Sequence, residues 1–273
     1  MNSINVLFAA SEAVPFAKAG DLADAAGALP RELANLGVDV RLIMPKYKSI
    51  PRNFVDAMEH IGYVYVDLAW RRQYCEVLKL KHQGIIAYFV DNEYYFNRDG
   101  LYGHSDEAEQ FAFFSKAILK VLPLIDFKPD IIHCNDWQTG IVSAFLKAGF
   151  GHIEFYNGIK TIFTIHNLKH QGMFPKEIMG DILGLSWDYF NSEGLELHDY
   201  VNYMKAGIAY SDIITTVSKT YAEEIKDILS RRSDSLYGVV NGMKQDFSWN
   251  KSAKEYLGLY EKLVAKVKSP PGR

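Results

Sequence analysis

Two predicted strands of this chain end in side chains that could move protons. Asp136 follows one buried apolar run, and His166 follows the next such run along the chain. A carboxyl and an imidazole are common general acids and bases, so the pair indicates acid–base chemistry. In a parallel sheet the carboxyl ends of the strands border one crevice, where we expect both side chains to lie.

Further polar residues follow the same kind of strand end. We expect this edge to carry Glu12, Lys18 and Gly20 after the first strand, Trp137 and Asn167 beside the acid and the base, and Ser218 with Lys219 after a later strand. It is the convergence of four strand ends, rather than any one residue, that predicts a site.

Each residue also has a simpler explanation when taken alone. Lys18 is equally well a solvated loop lysine, because lysines are common at protein surfaces. Asp136 could cap the helix that follows it, and an isolated histidine such as His166 is more often a hydrogen-bonded core residue. Trp137 and Tyr95 are either core residues or rings that stack on sugar faces.

Several well-known kinds of site lack their signature. The first strand is not followed by Gly-x-Gly-x-x-Gly, and the chain has neither a Walker loop nor His-Glu-x-x-His. The two cysteines, Cys75 and Cys134, form no Cys-x-x-Cys pair. We therefore expect no resident cofactor, no metal site and no disulfide framework, and the cytoplasm as the compartment.

The elements that position these residues begin with a strand, a loop and a helix. The apolar run 6–10 is typical of a strand buried on both faces. Leucines and alanines at spacings of three and four predict a helix that opens near Asp21 and ends at Gly37. A second strand at 38–44 then completes a βαβ unit.

The rest of the chain extends this unit. The runs 61–68, 74–80 and 85–90 predict a β-hairpin extension that returns to the main sheet, and the polar loop 91–105 is expected to border a ligand. Strands predicted at 130–135, 161–165 and 213–217 alternate with helices at 107–122, 140–148 and 202–210. A Thr-x-x-Glu capping box at Thr220 and Glu223 predicts one more helix. The fold class is therefore α/β, with a single Rossmann-like, doubly wound and mainly parallel sheet.

Composition and net charge limit the classes of partner that we expect for this chain. The 273 residues are 48% hydrophobic, which suffices for a substantial core, and the formal net charge is −3. Without a basic block, a nucleic acid is not expected as a partner. No apolar run approaches the roughly 20 residues that span a bilayer, so we expect no membrane insertion.

Six motifs resemble the bacterial glycogen synthases and plant starch synthases, from the start of the chain to about Val217. They are Ala10–Lys18 (ASEAVPFAK), Ala26–Pro30 (AGALP), His133–Thr139 (HCNDWQT), Phe163–Leu168 (FTIHNL), Gln171–Pro175 (QGMFP) and Val201–Gly207 (VNYMKAG). The resemblance implies a GT-B fold of two Rossmann-like domains. It also implies transfer of glucose from ADP-glucose to the non-reducing end of an α-1,4-glucan, with retention of configuration.

Roles follow by position from this resemblance. It implies that Asp136 and His166 are catalytic, with Asp136 near the reacting sugar and His166 on the donor glucose. It implies donor-binding positions at Lys18, Gly20 and Asp24, and acceptor-binding positions at Glu12, Tyr95, Trp137 and Asn167.

The chain departs from the family in its second half. The segment 233–242 resembles the family segment that leads into the second Rossmann-like domain, yet 247–264 already resembles the family's last helix. We expect an acceptor-side domain at 1–240, a joining loop at 241–247, a helix at 248–267 that Ser248 caps and that packs back on the same domain, and a tail at 268–273.

A second departure is local. Lys18-Ala19-Gly20-Asp21 stands where the family has Lys-Thr-Gly-Gly. We expect Asp21 to cap the helix with its own carboxylate and to repel an anion, which makes ADP-glucose a poor ligand. Lys169, Ala209 and Lys219 suggest a former domain interface that has been re-surfaced.

These departures predict the N-terminal half of an ADP-glucose-dependent α-1,4-glucan synthase, shortened by engineering or in nature. It should fold, lack transfer activity on its own and bind glucan weakly at most. The alternative is a half-enzyme that becomes active when a separate C-terminal domain docks on it. A nucleotide-binding regulator is disfavoured by Asp21, and the uncovered inter-domain face favours self-association.

Overall fold

The strands of the computed structural model confirm the predicted α/β class. The model describes residues 3–218, 220–222, 236–239 and 249–268. Its strands are β1 Asn5–Ala9, β2 Asp39–Pro45, β3 Glu59–Leu68, β4 Arg71–His82, β5 Ile85–Asp91, β6 Ile131–Asn135, β7 Lys160–Ile165, β8 Met173–Pro175, β9 Glu196–Leu197, β10 Tyr200–Asn202, β11 Ile213–Thr216 and β12 Leu236–Gly238.

Nine of these strands form one sheet in the order β12-β11-β7-β6-β1-β2-β5-β4-β3. Pairing is parallel from β12 to β5, and β4 and β3 are added antiparallel as the predicted hairpin extension. The central strand β1 has Val6, Leu7, Phe8 and Ala9 fully buried, as its unbroken apolar run predicts. A smaller antiparallel sheet has the order β8-β10-β9.

Helices cover this sheet and connect its strands. They are α1 Leu22–Asn35, α2 Arg52–Val55, α3 Glu93–Phe96, α4 Glu107–Lys120, α5 Val142–Phe145, α6 Tyr203–Tyr210 and α7 Trp249–Lys268. In the described part of the chain, no helix is both long enough and apolar enough to span a membrane.

The last helix, α7, packs back on the sheet as predicted. It lies against α1, and Ala253, Tyr256, Tyr260 and Leu263 are buried on its inner face. The amide of Asn250 reaches Glu32 of α1 at 3.4 Å. The apolar stripe of α7 is therefore covered by the domain that precedes it.

The segment after β6 differs from the single helix predicted at 140–148. It is a 3₁₀ turn at Trp137–Thr139, then α5, then a π-helical turn at Leu146–Phe150. Gly140 lies so close to α6 that an added Cβ would stand 2.1 Å from the carbonyl oxygen of Tyr203. This contact with α6 adjoins the start of the irregular segment.

Other predictions fall on or beyond the limits of the described chain. Lys219, Glu223 of the capping box, Ser248, the joining loop 241–247 and residues 269–273 of the tail all lie outside the described residues. The loop 91–105 is described, and it contains the short helix α3, capped by Asn92.

Candidate functional site

The acid predicted at the end of β6 stands on a sharp turn. Asp136 has φ +55°, a conformation that L-residues adopt uncommonly. Its N–H donates to the carbonyl of Thr164 on β7 at 2.9 Å. The hydroxyl of Thr139 lies 2.7 Å from the N–H of Asn135, the residue before Asp136. The turn is thus held by the neighbouring strand β7 and by the side chain of Thr139.

The Asp136 carboxyl is joined to the end of β7. Its Oδ1 accepts the backbone N–H of His166 at 2.7 Å and that of Asn167 at 3.4 Å. The side chain is buried, and burial raises the pKa of Asp136 to about 7, although the two N–H groups oppose the shift. A carboxyl with this pKa can donate or accept a proton near neutral pH.

The imidazole of His166 lies beside this acid and is neutral. Burial lowers the pKa of His166 to about 4. Its Nε2 is 3.0 Å from Oδ1 of Asn135, whose amide nitrogen donates to the carbonyls of Ala9 and His133. Because these donations fix the amide orientation, Nε2 of His166 carries the proton and Nδ1 is the acceptor.

Asp136 and His166 open into a cavity of about 470 Å³. Its walls come from the first loop, the loop before α4, and the ends of β6 and β7. The lining residues are Glu12, Ala19, Gly20, Asp21, Leu22, Tyr102, Gly103, Glu107, Asp136, Trp137, Gln138, His166, Asn167 and His170. Six of the nine predicted site residues therefore meet here: Glu12, Gly20, Asp136, Trp137, His166 and Asn167.

Glu12 fastens the first loop from inside. Its carboxylate accepts the N–H groups of Ala19 and Gly20, the latter at 2.9 Å, and the Tyr102 hydroxyl donates to it at 3.2 Å. The side chain is only 4% exposed. The loop amides that could bind a phosphate are thus already occupied by a carboxylate of the chain itself.

The prediction that Asp21 caps α1 is wrong. Asp21 has helical backbone angles, φ −71° and ψ −22°, and its side chain makes no capping hydrogen bond. A capping side chain normally belongs to a residue with extended backbone, which places the oxygen over the next N–H groups. Asp21 instead lines the cavity, where it adds negative charge.

Lys18 and Asp24 form a pair outside the cavity lining. The Lys18 ammonium lies 2.8 Å and 2.7 Å from the two carboxylate oxygens of Asp24. The Lys18 side chain is half-exposed. This hydrogen bond is the main cause of the raised pKa of Lys18. The lysine charge predicted for the donor is therefore matched locally by Asp24.

Trp137 is a buried residue that forms part of the cavity wall. It is 7% exposed and its ring contacts Phe111 and Phe174, with centroids 5.0 Å and 5.9 Å away. Gly172 has φ +61° and closes against the same ring, since an added Cβ would be 2.3 Å from Cε3 of Trp137. Trp137 is thus a core residue that also contributes to the cavity wall.

Tyr95 lies elsewhere and corrects our expectation. It belongs to α3, is fully buried and does not line the cavity. Its hydroxyl donates to Glu109, a partly buried carboxylate that also pairs with Arg71. Ser218 is also absent from the cavity lining, and its hydroxyl accepts the N–H of Tyr221 at 2.9 Å.

Besides residues of the first loop and Gly103, four polar lining residues were not predicted for the site: Tyr102, Glu107, Gln138 and His170. The loop 91–105, expected to border a ligand, supplied the signal for Tyr102. Gln138 follows Trp137 directly, whereas Glu107 was assigned to helix α4 alone.

The cavity wall is acidic. Glu12, Asp21, Glu107 and Asp136 line it, while no lysine or arginine of the described residues does. Across the described ranges, no group of three His, Cys, Asp or Glu side chains is arranged to hold a metal ion. Such a wall favours a neutral polar ligand over an anion.

Comparison with known proteins gives a consistent result. The family model described as "Starch synthase catalytic domain" matches residues 5–238. The glycogen synthase of Desulforamulus reducens is 52% identical over 252 residues, which cover 89% of this chain and 52% of that protein. The glycogen synthase of Geobacillus stearothermophilus is 48% identical over 263 residues, covering 93% and 54% respectively.

A solved structure shows the same architecture. The catalytic domain of starch synthase IV from Arabidopsis thaliana, bound to ADP and acarbose, superposes with a TM-score of 0.82 at 28% identity. The match covers 90% of this chain and 53% of that chain. The present chain spans about half the length of the relatives it matches.

Proposed function

This chain belongs to the starch synthase catalytic domain family, and we propose that it is the acceptor-side half of an ADP-glucose-dependent α-1,4-glucan glucosyltransferase. On this proposal the chain folds without the second Rossmann-like domain, binds glucan weakly and does not transfer glucose by itself. Its place in the GT-B fold is the half that holds the acceptor.

The observation that carries the proposal is the charge of the cavity. Four carboxyl groups line it, no lysine or arginine among the described residues does, and the loop amides already bind Glu12. A nucleoside diphosphate would bring further negative charge to this wall. A glucan instead brings hydroxyl groups, which can donate hydrogen bonds to the carboxylates. The arrangement therefore supports glucan as the ligand that this half retains.

We assign the catalytic roles to Asp136 and His166. The pKa of about 7 suits Asp136 to proton exchange near neutrality, and neutral His166 can accept a hydrogen bond at Nδ1 from a sugar hydroxyl. Glu12, Trp137 and Asn167 are proposed as the acceptor wall. Lys18, Gly20 and Asp24 remain the proposed donor side.

The internal junction is also part of the proposal. We propose that the chain was shortened between the segment 233–242 and the last helix, by engineering or in nature, and that the cytoplasm is its compartment. The docking of α7 on α1 supports the proposed shortening, because this helix needs no second domain to cover its apolar stripe. The two buried free cysteines support the cytoplasm as the compartment.

Calorimetric titration with maltotriose and, separately, with ADP-glucose tests the proposal. We expect weak maltotriose binding and no heat from ADP-glucose. Asn167→Ala, at the exposed cavity rim, should remove maltotriose binding, whereas Asn157→Ala, an exposed asparagine elsewhere, should not. Tight ADP-glucose binding would contradict the argument from charge, and no binding of either ligand would reduce the chain to a scaffold.

A half-enzyme is the second candidate, favoured because the chain spans about half of each relative. Mixing it with a separately expressed C-terminal half of a relative should then restore glucan elongation. Asp136→Ala should abolish that activity without unfolding the chain. Failure of the two halves to associate would count against this candidate, as would dimers of the chain formed through the same face.

A further inference from the structure

A short chain of hydroxyl groups ends on the carboxylate of Glu12. Oγ of Ser11 lies 2.7 Å from the Tyr102 hydroxyl, which lies 3.2 Å from Oε1 of Glu12. A carboxylate only accepts hydrogen bonds, so the Tyr102 hydroxyl donates to Glu12 and the Ser11 hydroxyl donates to Tyr102. One oxygen of Glu12 is therefore held from the loop before α4.

The other oxygen of Glu12 holds the first loop. Oε2 accepts the N–H groups of Ala19 and Gly20, the latter at 2.9 Å. Adjacent backbone N–H groups just before a helix such as α1 commonly bind anions. The carboxylate is thus shared between two partners, a tyrosine hydroxyl and a pair of amides that suits a phosphate.

A second buried tyrosine faces the same carboxylate without bonding it. Tyr47 follows β2 and is 2% exposed, and its hydroxyl has no hydrogen-bond partner among the described residues. Burial raises the pKa of Tyr47, and the charges of Glu12 and Glu107 raise it further. Tyr47 in turn contributes to the raised pKa of Tyr102. The Tyr47 hydroxyl therefore faces these carboxylates and lies near the Tyr102 hydroxyl.

Packing alone does not explain the Tyr47 hydroxyl. Buried polar groups of folded proteins are nearly always hydrogen-bonded, and a phenylalanine would fill the same space without a polar atom. The hydroxyl gains a role in a second conformation, in which it donates to a carboxylate that faces it.

Glu12 is better placed than Glu107 to accept this hydrogen bond. Glu12 already bonds the Tyr102 hydroxyl, so its carboxylate can turn about that contact. Such a turn takes Oε2 away from the loop amides and toward Tyr47. Glu107 instead stands in the first turn of α4, where it accepts the N–H of Gly103 at 2.7 Å.

We propose that Glu12 is a two-position switch that decides whether the first loop binds a diphosphate. In the closed position, which this structure shows, its carboxylate occupies the N–H groups of Ala19 and Gly20. In the open position it bonds the hydroxyls of Tyr102 and Tyr47, and the two N–H groups are left to a phosphate oxygen.

The switch makes diphosphate binding depend on opening. Because the closed position is the one observed, the apparent affinity is reduced by the small fraction of open chains. Tyr47 raises that fraction, since its hydroxyl bonds the carboxylate only in the open position. Tyr102 bonds Glu12 in both positions and favours neither. The choice of a diphosphate rests on the proposed function, which puts the donor side at this loop.

NMR titration with inorganic pyrophosphate at low salt tests the switch through the amide shifts of Ala19 and Gly20. These shifts follow binding that is too weak to give measurable heat. We expect the parent to bind weakly, and Glu12→Ala to bind at least tenfold more tightly because no carboxylate then competes for the amides. Tyr47→Phe should bind at least threefold more weakly than the parent.

Matched variants separate the switch from charge and from packing. Glu107→Ala removes the same charge from the cavity wall but leaves the loop amides with Glu12, so it should tighten binding less than Glu12→Ala. Tyr156→Phe removes the hydroxyl of another buried tyrosine, which donates to the carbonyl of Leu119 at 3.0 Å. It should bind pyrophosphate like the parent.

A double variant isolates the partnership of Tyr47 with Glu12. Glu12→Ala has no carboxylate to move, so adding Tyr47→Phe should leave its pyrophosphate affinity unchanged. Without pyrophosphate, Tyr47→Phe should not lower the free energy of unfolding, because its hydroxyl has no partner to lose. Circular dichroism melting checks that each variant is folded, and Glu12→Gln replaces Glu12→Ala if the latter is not.

Maltotriose titration tests the proposed function separately. Absence of maltotriose binding would contradict the glucan proposal and leave every pyrophosphate comparison as it stands. Tyr47→Phe should have the maltotriose affinity of the parent, since Tyr47 does not line the cavity.

Three results would overturn the inference. One is a parent chain whose Gly20 amide does not shift with pyrophosphate, whether Glu12→Ala binds it or not, since the carboxylate would then have no open position. Another is equal affinity of Glu12→Ala and Glu107→Ala, which would reduce the effect to charge. The third is a Tyr47→Phe variant that binds like the parent, or that weakens binding equally when Glu12 is absent.

Discussion

The hydroxyl of Tyr260 lies 2.6 Å from Nδ1 of His133, and this contact joins the last helix to the middle of the sheet. The other ring nitrogen of His133 is 2.6 Å from the Thr164 hydroxyl, which in turn is 2.6 Å from that of Thr215. The chain of contacts crosses β6, β7 and β11. All four groups are buried, so each depends on its neighbours for hydrogen bonds.

Tyr260→Phe should therefore destabilise the fold. It removes one buried hydrogen bond and leaves a ring nitrogen of His133 without its partner, which costs about 1–3 kcal/mol. The free energy of unfolding in urea measures the loss. Tyr200→Phe changes an exposed tyrosine in the same way and should have no effect. Equal urea midpoints for Tyr260→Phe and the parent would contradict the role given to this contact.

Acid should weaken the same network. Burial lowers the pKa of His133 from 6.5 to about 3, so between these values the unfolded chain binds a proton that the folded chain does not. Stability is therefore complete above pH 6.5 and falls as the pH drops toward 3, with a slope of up to about 1.4 kcal/mol per pH unit. His166 adds a loss of the same sign down to about pH 4.

Unfolding free energies from pH 7 to pH 4.5 measure this effect. His133→Gln should have a smaller slope than the parent, whatever its stability at pH 7. His152→Gln, at an exposed histidine, should keep the parent slope. An unchanged slope in His133→Gln would show that the buried imidazole is not the source.

The titration of Asp136 should change the stability of the fold in the opposite direction. Burial raises its folded pKa from 3.8 to about 7, so between these values the folded state holds a proton that the unfolded chain has lost. The contribution of Asp136 is greatest below pH 3.8 and declines as the pH rises toward 7. Near pH 8 the ionised carboxylate is a buried charge that destabilises the fold.

Asp136→Asn should therefore raise the stability at pH 8, on the order of 1–4 kcal/mol, because the amide oxygen still accepts the N–H of His166. The gain should shrink toward pH 4. Urea unfolding at both pH values measures it, with Asp56→Asn as the control at an exposed ion pair of little energetic weight. A gain that does not depend on pH would point to relief of backbone strain instead.

The sequence predicted the sheet well because its strands are short apolar runs buried on both faces. The run 6–10 is apolar throughout, which is typical of a strand buried on both faces, and alternation with helices implies parallel pairing. The convergence of Asp136 and His166 at one edge followed from that topology.

Local predictions failed where the backbone conformation of a loop or helix start decided the outcome. Tyr95 was expected in a loop, but Asn92 caps a short helix that leaves this tyrosine fully buried. Asp21 was expected to cap α1, yet its backbone is already helical. Glu12 lines the cavity, but its hydrogen bonds to Ala19 and Gly20 depend on a loop closure that spacing alone does not specify.

Removing Asp21 should improve the binding of a nucleoside diphosphate. Asp21 stands in the acidic wall without a capping bond of its own, so Asp21→Gly removes like charge and leaves the Glu12 contacts unchanged. We expect the affinity for ADP to rise by about fivefold to tenfold at low salt, and less at high salt because of screening. Calorimetry with ADP measures this change. Asp188→Gly, an exposed aspartate outside the cavity, should leave ADP affinity as in the parent. If Asp21→Gly also leaves it unchanged, the occupied loop amides and not the charge of Asp21 limit the binding of the anion.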